Sequence, residues 1–289
     1  MKLLRIFTFV FFVPLALAVT AIFAPVSAQN ARNDLASASV LEEIKRKGVF
    51  KVGMASFVPW AMFDKKGELI GFEIDLAKKI AKDSNWEIEF VPTSFAGIIP
   101  ALLAGKFDTI ITGMAVSPKR NLTVNFTIPY NWTVRNIAAT KKLAGDWTSM
   151  DNINKEGVIL SHRRGGQTTD MIKELWPKAK QVMFDDDAQA LQEVLNGGAH
   201  AIMTAEPKPT MYALAYPDKL FLPLGQDAKL FPVPAAMAVR KGDPDILNYF
   251  NNWILANKES GWLQERIEFW FRSDGWFGQV DKNPFARKK

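Results

Sequence analysis

Val49-Phe50-Lys51-Val52-Gly53-Met54, then Phe72-Glu73-Ile74-Asp75-Leu76-Ala77-Lys78-Lys79-Ile80-Ala81, then Trp86-Glu87-Ile88-Glu89-Phe90-Val91: these three stretches set the fold class. The first is short, largely apolar and rich in valine and phenylalanine, as strands are. The second places Ile74, Ala77 and Ala81 at the three-and-four spacing of an amphipathic helix. The third alternates and reads as a strand again. Residues 95–104 predict a further helix, begun or dented at Pro100. Asp108-Thr109-Ile110-Ile111-Thr112 predicts a buried strand running into a glycine loop. Strand, helix, strand, helix, strand over residues 49–112 predicts α/β, with mostly parallel strands covered by helices.

A second cycle follows. Val158-Ile159-Leu160-Ser161 reads as a strand, followed by a Gly165-Gly166 loop and a helix over 168–176. Gln181-Val182-Met183-Phe184 is another strand. Asp186 or Asp187 is placed to cap the next helix, and Gly197-Gly198 to end it. Ala201-Ile202-Met203-Thr204 is a strand and 207–216 a short helix. The late strand around Ala235–Val239 needs a sheet, and helices over 243–258 and 260–271 need a surface for Trp253, Leu255, Trp262 and Trp270. Rejoining the first unit answers both needs, so the expected architecture is two lobes with a cleft between them.

At the N-terminus, Lys2 and Arg5 precede an apolar run from Ile6 to Phe23 and a small-residue ending, Val26-Ser27-Ala28. This is the pattern of an export signal cleaved after Ala28, with the protein delivered to the periplasm. Removing those 28 of 289 residues leaves 261 and lowers the formal charge from +6 by the two lost cations to +4. The apolar and aromatic content, 48% and 12%, excludes disorder, collagen and coiled coil. Zero cysteines exclude a disulfide scaffold, thiol catalysis and a lipid-anchored cysteine, and two histidines cannot make a three-histidine zinc site. No phosphate loop, dinucleotide fingerprint or esterase elbow occurs. Neither a cofactor nor a metal is expected. The lysines are scattered over helix faces, and nucleic acid is not an expected partner.

Three loop features suggest a small-molecule site. Gly113-Met114-Ala115-Val116-Ser117-Pro118-Lys119-Arg120 follows a strand end, and an arginine there presents a planar fork suited to a carboxylate. Gly165-Gly166-Gln167-Thr168-Thr169 offers amides and hydroxyls at a helix start in the other unit. Phe57, Trp60 and Phe95 sit near strand ends or helix starts, where cleft aromatics belong. Each has a plainer explanation: Arg120 as a surface ion-pair partner, Thr168 as a cap, any one aromatic as core.

Taken together, Phe57-Val58-Pro59-Trp60, Gly71-Phe72-Glu73-Ile74-Asp75-Leu76, Ile99-Pro100-Ala101-Leu102 with Gly105-Lys106-Phe107-Asp108, Ser117-Pro118-Lys119-Arg120 and Phe126-Thr127-Ile128-Pro129-Tyr130 resemble, in order and spacing, the periplasmic amino-acid-binding proteins of ABC importers. The resemblance covers residues 48–272. It implies a type II periplasmic-binding fold in which two crossover strands, near 134–139 and 230–236, form a hinge. Lobe one would then comprise 29–136 and 232–289, and lobe two 137–231. It further implies that Arg120 grips a ligand α-carboxylate, helped by groups near Thr112, Gly113 and Ala115, with Thr168 approaching from lobe two. Phe57 and Phe95 would sandwich the ligand side chain, with Trp60 beside them.

The family's ammonium-binding aspartate falls on Ala205, and the adjacent acid is Glu206. Glu206 is expected to take that role by a one-residue shift, the alternative being a ligand that lacks the usual ammonium. Relatives that bind cationic amino acids carry an acid at the position of Met54, so the resemblance implies a neutral or acidic amino acid. Arg163 and Arg164 flank the lobe-two loop, able to meet an acidic side chain or simply to lie on the surface. The implied partner is an inner-membrane importer permease that meets a monomeric binder. Two other readings stay open: a binder of a non-amino-acid carboxylate, and a cyclohexadienyl (arogenate or prephenate) dehydratase-like enzyme using Glu73, Glu206 or Asp170 as acid.

Overall fold

The computed structural model describes residues 39–280 apart from 226, 227 and 229, so the expected export segment lies outside the described residues. The described chain opens with a helix, Val40–Lys47, started by the Ser39 hydroxyl accepting from the Glu42 amide and stopped by Gly48 in the left-handed region. β1 (Val49–Met54) follows. A small hairpin, β2 (Met62–Phe63) with β3 (Leu69–Ile70), then leads to the helix Phe72–Asp83. Gly71 makes that entry possible. Its φ is 136°, and a Cβ there would lie 2.3 Å from the Trp60 carbonyl oxygen.

β4 (Glu87–Pro92), the helix Ile98–Leu103, β5 (Thr109–Ile110), a single helical turn Pro118–Asn121 and β6 (Asn125–Phe126) complete the first run. β4 and β5 flank β1 in parallel. The helix expected over 95–104 begins only at Ile98. Gly97 instead closes a turn onto Ser94, donating to both its carbonyl and its hydroxyl, and Phe95 belongs to that turn. Pro100 stands in the first helical turn, where backbone N–H groups have no intrahelical partner to lose.

β7 (Asn131–Thr140) carries the chain into a second sheet. There β8 (Ile159–Arg163), β9 (Lys180–Phe184), β10 (Ala201–Ala205), β11 (Leu220–Phe221) and β12 (Leu230–Ala235) assemble in the order β11-β7-β10-β8-β9, with β12 also paired to β7. β12 then returns the chain to β13 (Ala238–Val239), which inserts between β5 and β6. The parallel pairs, β4-β1-β5 and β10-β8-β9, form where helices make the crossovers. In the second sheet every antiparallel pair involves β7, which comes from the first, and in the first sheet β13, arriving from β12, pairs antiparallel with β5 and β6. The molecule is thus a two-lobed α/β protein with two adjacent connections, β7 and β12.

Each sheet has its own apolar interior. Phe50, Val52, Phe72, Leu76, Ile80 and Phe250 belong to the first, and Ile137, Leu160, Ile172, Trp176 and Met203 to the second. The C-terminal helices, Pro244–Glu259 and Trp262–Ile267, close over the first. Trp253 Nε1 donates to Asp83 at 2.9 Å and Trp270 Nε1 to Asp75 at 2.6 Å, anchoring them on the helix Phe72–Asp83. Leu255, expected to share this packing, is 49% exposed. Two residues on from Trp253, it faces away from the surface that Trp253 covers. Among the described residues no helix is long and apolar enough to cross a membrane.

Candidate ligand-binding cleft

The predicted site residues largely converge where the two lobes meet. Phe57, Trp60, Phe95, Gly113, Ala115 and Arg120 line one side of a closed cavity, and Thr168 lines the other. The cavity's free space is about 30 Å³, room for a water or two, so a ligand enters only when the lobes part and the lining side chains give way. Phe57 and Trp60 pack against each other at a 30° tilt with centroids 4.6 Å apart.

Local sequence explains the placement of Arg120. The Ser117 hydroxyl accepts from the Arg120 amide and Pro118 begins the turn, so the side chain leaves the first turn beside β5. Its guanidinium donates to the Ala115 carbonyl at 2.7 Å and, across the cleft, to the Gly165 carbonyl at 2.9 Å. Burial, reinforced by Arg163, lowers its pKa to about 10, which leaves it charged at neutral pH. Gln167 Nε2 adds a second bridge between lobes, to the Val116 carbonyl at 3.0 Å. Gly165 sits at φ 78° against Ala96 of the opposite lobe.

Three predicted residues are spent differently. Thr112 is fully buried, and its hydroxyl accepts from the Ala55 amide at 2.8 Å, tying the end of β5 to that of β1; it does not line the cavity. Gly113 lines it, but its amide donates to Glu73, which also accepts from the Tyr130 hydroxyl. Glu206 is turned away: its carboxylate accepts from Asn136 Nδ2 at 2.8 Å and the Thr210 hydroxyl at 3.1 Å. Met203, Thr204 and Ala205 contribute to the cavity, and Glu206 follows beyond the end of β10, with its amide donating to the Val134 carbonyl and its carboxylate held by Asn136 and Thr210.

The acid that does face the cavity is Asp187. Of the two aspartates suited to capping, Asp186 caps the helix Asp187–Asn196. Asp187 instead forms a buried ion pair with Lys208 at 2.8 Å. Burial alone would raise the Asp187 carboxyl, but Lys208 and Arg163 together hold it below its ordinary value. Burial brings Lys208 down to about 8 against the pull of Asp187, so the pair is ionised at neutral pH.

Two further cations complete the site. Arg135, from β7, is buried, with burial and then Arg163 lowering its pKa to about 10. Arg163, at the end of β8, inserts its guanidinium between the aromatics, 4.3 Å from the Phe57 ring centre and 4.0 Å from that of Phe95. Arg164 points out and pairs with Asp185. Sequence reading had no basis for choosing Arg163 over Arg164, since only the register of β8 decides which arginine faces the cleft. Lys208 and Arg135 gave no signal beyond an ordinary short helix and strand.

The chain matches the model of the bacterial extracellular solute-binding proteins, family 3, over residues 50–273. It is 26% identical over 223 residues to the ABC transporter arginine-binding protein 1 of Escherichia coli, covering 75% of this chain and 88% of that protein. Among solved structures, the ancestral amino acid-binding protein AncCDT-1, a precursor of cyclohexadienyl dehydratase, is 38% identical with a TM-score of 0.74, over 81% of this chain and all of that one. An ancestral arginine-binding protein bound to arginine is 31% identical, with a TM-score of 0.70, over 78% of this chain and 98% of that one. By the span of the family match and these likenesses, the chain belongs to the bacterial extracellular solute-binding proteins, family 3.

Proposed function

We propose that this protein captures a small carboxylate, in the first instance a neutral or acidic amino acid, and delivers it to an ABC importer permease at the inner membrane. The observation that carries this reading is the convergence of Arg120, Thr168, Phe57 and Phe95 on one cavity between the lobes. In it the Arg120 guanidinium binds the α-carboxylate with Thr168 opposite. The gap between Phe57 and Phe95 is filled by the Arg163 guanidinium, so the remainder of the ligand meets that stack and not a space between the rings. Lobe two comprises 137–231, and β7 with β12 serves as the hinge. Closure dries the site and strengthens the charge-assisted bonds.

Although several relatives bear the names of arginine binders, a cationic ligand is disfavoured here. The position that would need an acid holds Met54, and the cleft already contains Arg120, Arg135 and Arg163. An added ammonium or guanidinium would be desolvated without a partner. A binding role also fits the acids better than catalysis does. Glu73 lies behind Gly113, Glu206 is turned away, and Asp187 is committed to Lys208.

A thermal-shift panel of the twenty amino acids and common dicarboxylates, run on the wild type and on Arg120→Ala, tests the reading. A stabilising carboxylate ligand whose shift disappears in R120A is expected. Ligand shifts that survive in R120A would refute the clamp, and conversion of prephenate or arogenate to an aromatic product would replace binding by catalysis.

A further inference from the structure

The charges around the cavity do not balance. Arg120, Arg135, Arg163 and Lys208 contribute four cations, against which Asp187 supplies one carboxylate. Glu73 lies behind Gly113, and with burial raising its pKa to about 7 it adds at most a partial charge. An amino-acid zwitterion, with no net charge, would leave the excess of three untouched. A monocarboxylate would reduce it to two, and a dianion to one.

The unbalanced charge is also unpartnered. Arg163 Nη1 and Arg135 Nε are both buried and lack any hydrogen-bond partner. Groups of this kind cost free energy in the closed protein unless a ligand supplies acceptors. The same cavity has no uncommitted carboxylate to pair with an ammonium. Position 205 is alanine, Glu206 is held by Asn136 and Thr210, and Asp187 is taken by Lys208. Donors in excess and an absent ammonium acceptor are independent features, and they specify the same chemistry.

We infer that the ligand is a small dicarboxylate lacking an α-ammonium, with one carboxylate on Arg120 and the other on the free donors of Arg163 and Arg135. The inference rests on the carboxylate-capture reading above and departs from its amino-acid ligand. The guanidinium of Arg163 is held between Phe57 and Phe95, so it meets the second carboxylate as a fixed, largely desolvated donor instead of a mobile surface charge.

Isothermal titration of the purified chain, cleared of co-purified solute, with succinate, glutarate, aspartate, glutamate, glutamine and arginine decides the matter. Glutarate is glutamate without its ammonium, and the pair isolates that group. At least one dicarboxylate is expected to bind about tenfold or more tighter than its amino counterpart, with glutamine and arginine weaker still. Arg163→Gln, which removes the unpartnered Nη1 donor, should weaken the dicarboxylate about tenfold. Tighter binding of an amino acid that still depends on Arg120 would overturn this inference and leave carboxylate capture standing. No binding by any carboxylate would overturn both. Undiminished dicarboxylate binding in R163Q would overturn the assigned subsite, and if that variant fails to fold, the ligand series on the unmodified chain decides alone.

Discussion

Glu73 is fully buried, and burial raises its pKa from 4.5 to about 7 despite the opposing bonds from Tyr130 and Gly113. The folded protein therefore holds this proton to a higher pH than the unfolded chain does. Stability contributed at low pH is lost as pH rises from about 4.5 to about 7, a total of about 3 kcal/mol. Glu73→Gln is expected to flatten the melting-temperature profile over that window; an unchanged slope between pH 5 and 7.5 would assign the effect elsewhere. Nothing in the sequence distinguished Glu73 from Asp75 as an acid in the first turn of a helix. Their fates differ because one points inward to Gly113 while the other meets Trp270 at the helix surface. Ala205 and Glu206 make the same point. The missing acid was legible, but whether its neighbour could substitute depended on the direction of one side chain.

At the scale of elements, most segments were legible because periodicity reports burial directly. The strand, helix, strand order over 49–112 and its repeat after 158 both appear. Boundaries were less so: the helix start moved from Phe95 to Ile98 because the Ser94–Gly97 turn precedes it. That shift is functional, since it leaves Phe95 in a turn facing Arg163. The aromatic load of the last helices pointed to packing on the first unit without naming the surface there, which is the acidic flank of the helix Phe72–Asp83. Trp270→Phe keeps an aromatic ring but removes the indole N–H, its 2.6 Å bond to Asp75, and part of the buried ring surface. A loss of about 1–3 kcal/mol in denaturant unfolding is expected; a change below about half a kilocalorie per mole would show the bond to be dispensable.

Across the whole molecule, the lobes meet through a few direct contacts, with Gly165 against Ala96 and bonded to Arg120. A Cβ at 165 would lie 2.9 Å from the Ala96 Cα, and φ of 78° disfavours any other residue. Gly165→Val is expected to fold with a modest loss of stability and to bind ligand at least tenfold more weakly. Small-angle scattering should show the wild type contracting when ligand is added and the variant remaining extended; equal contraction would remove this contact from closure. The sequence by itself determined the two α/β units, the family motifs and the arginine at 120, because these depend on periodicity and on residues close together in the chain. Only the tertiary structure decided the charge of the cleft. Arg135, Arg163, Asp187 and Lys208 come from four separate elements, and no local pattern records that folding brings their charges into one small, desolvated space.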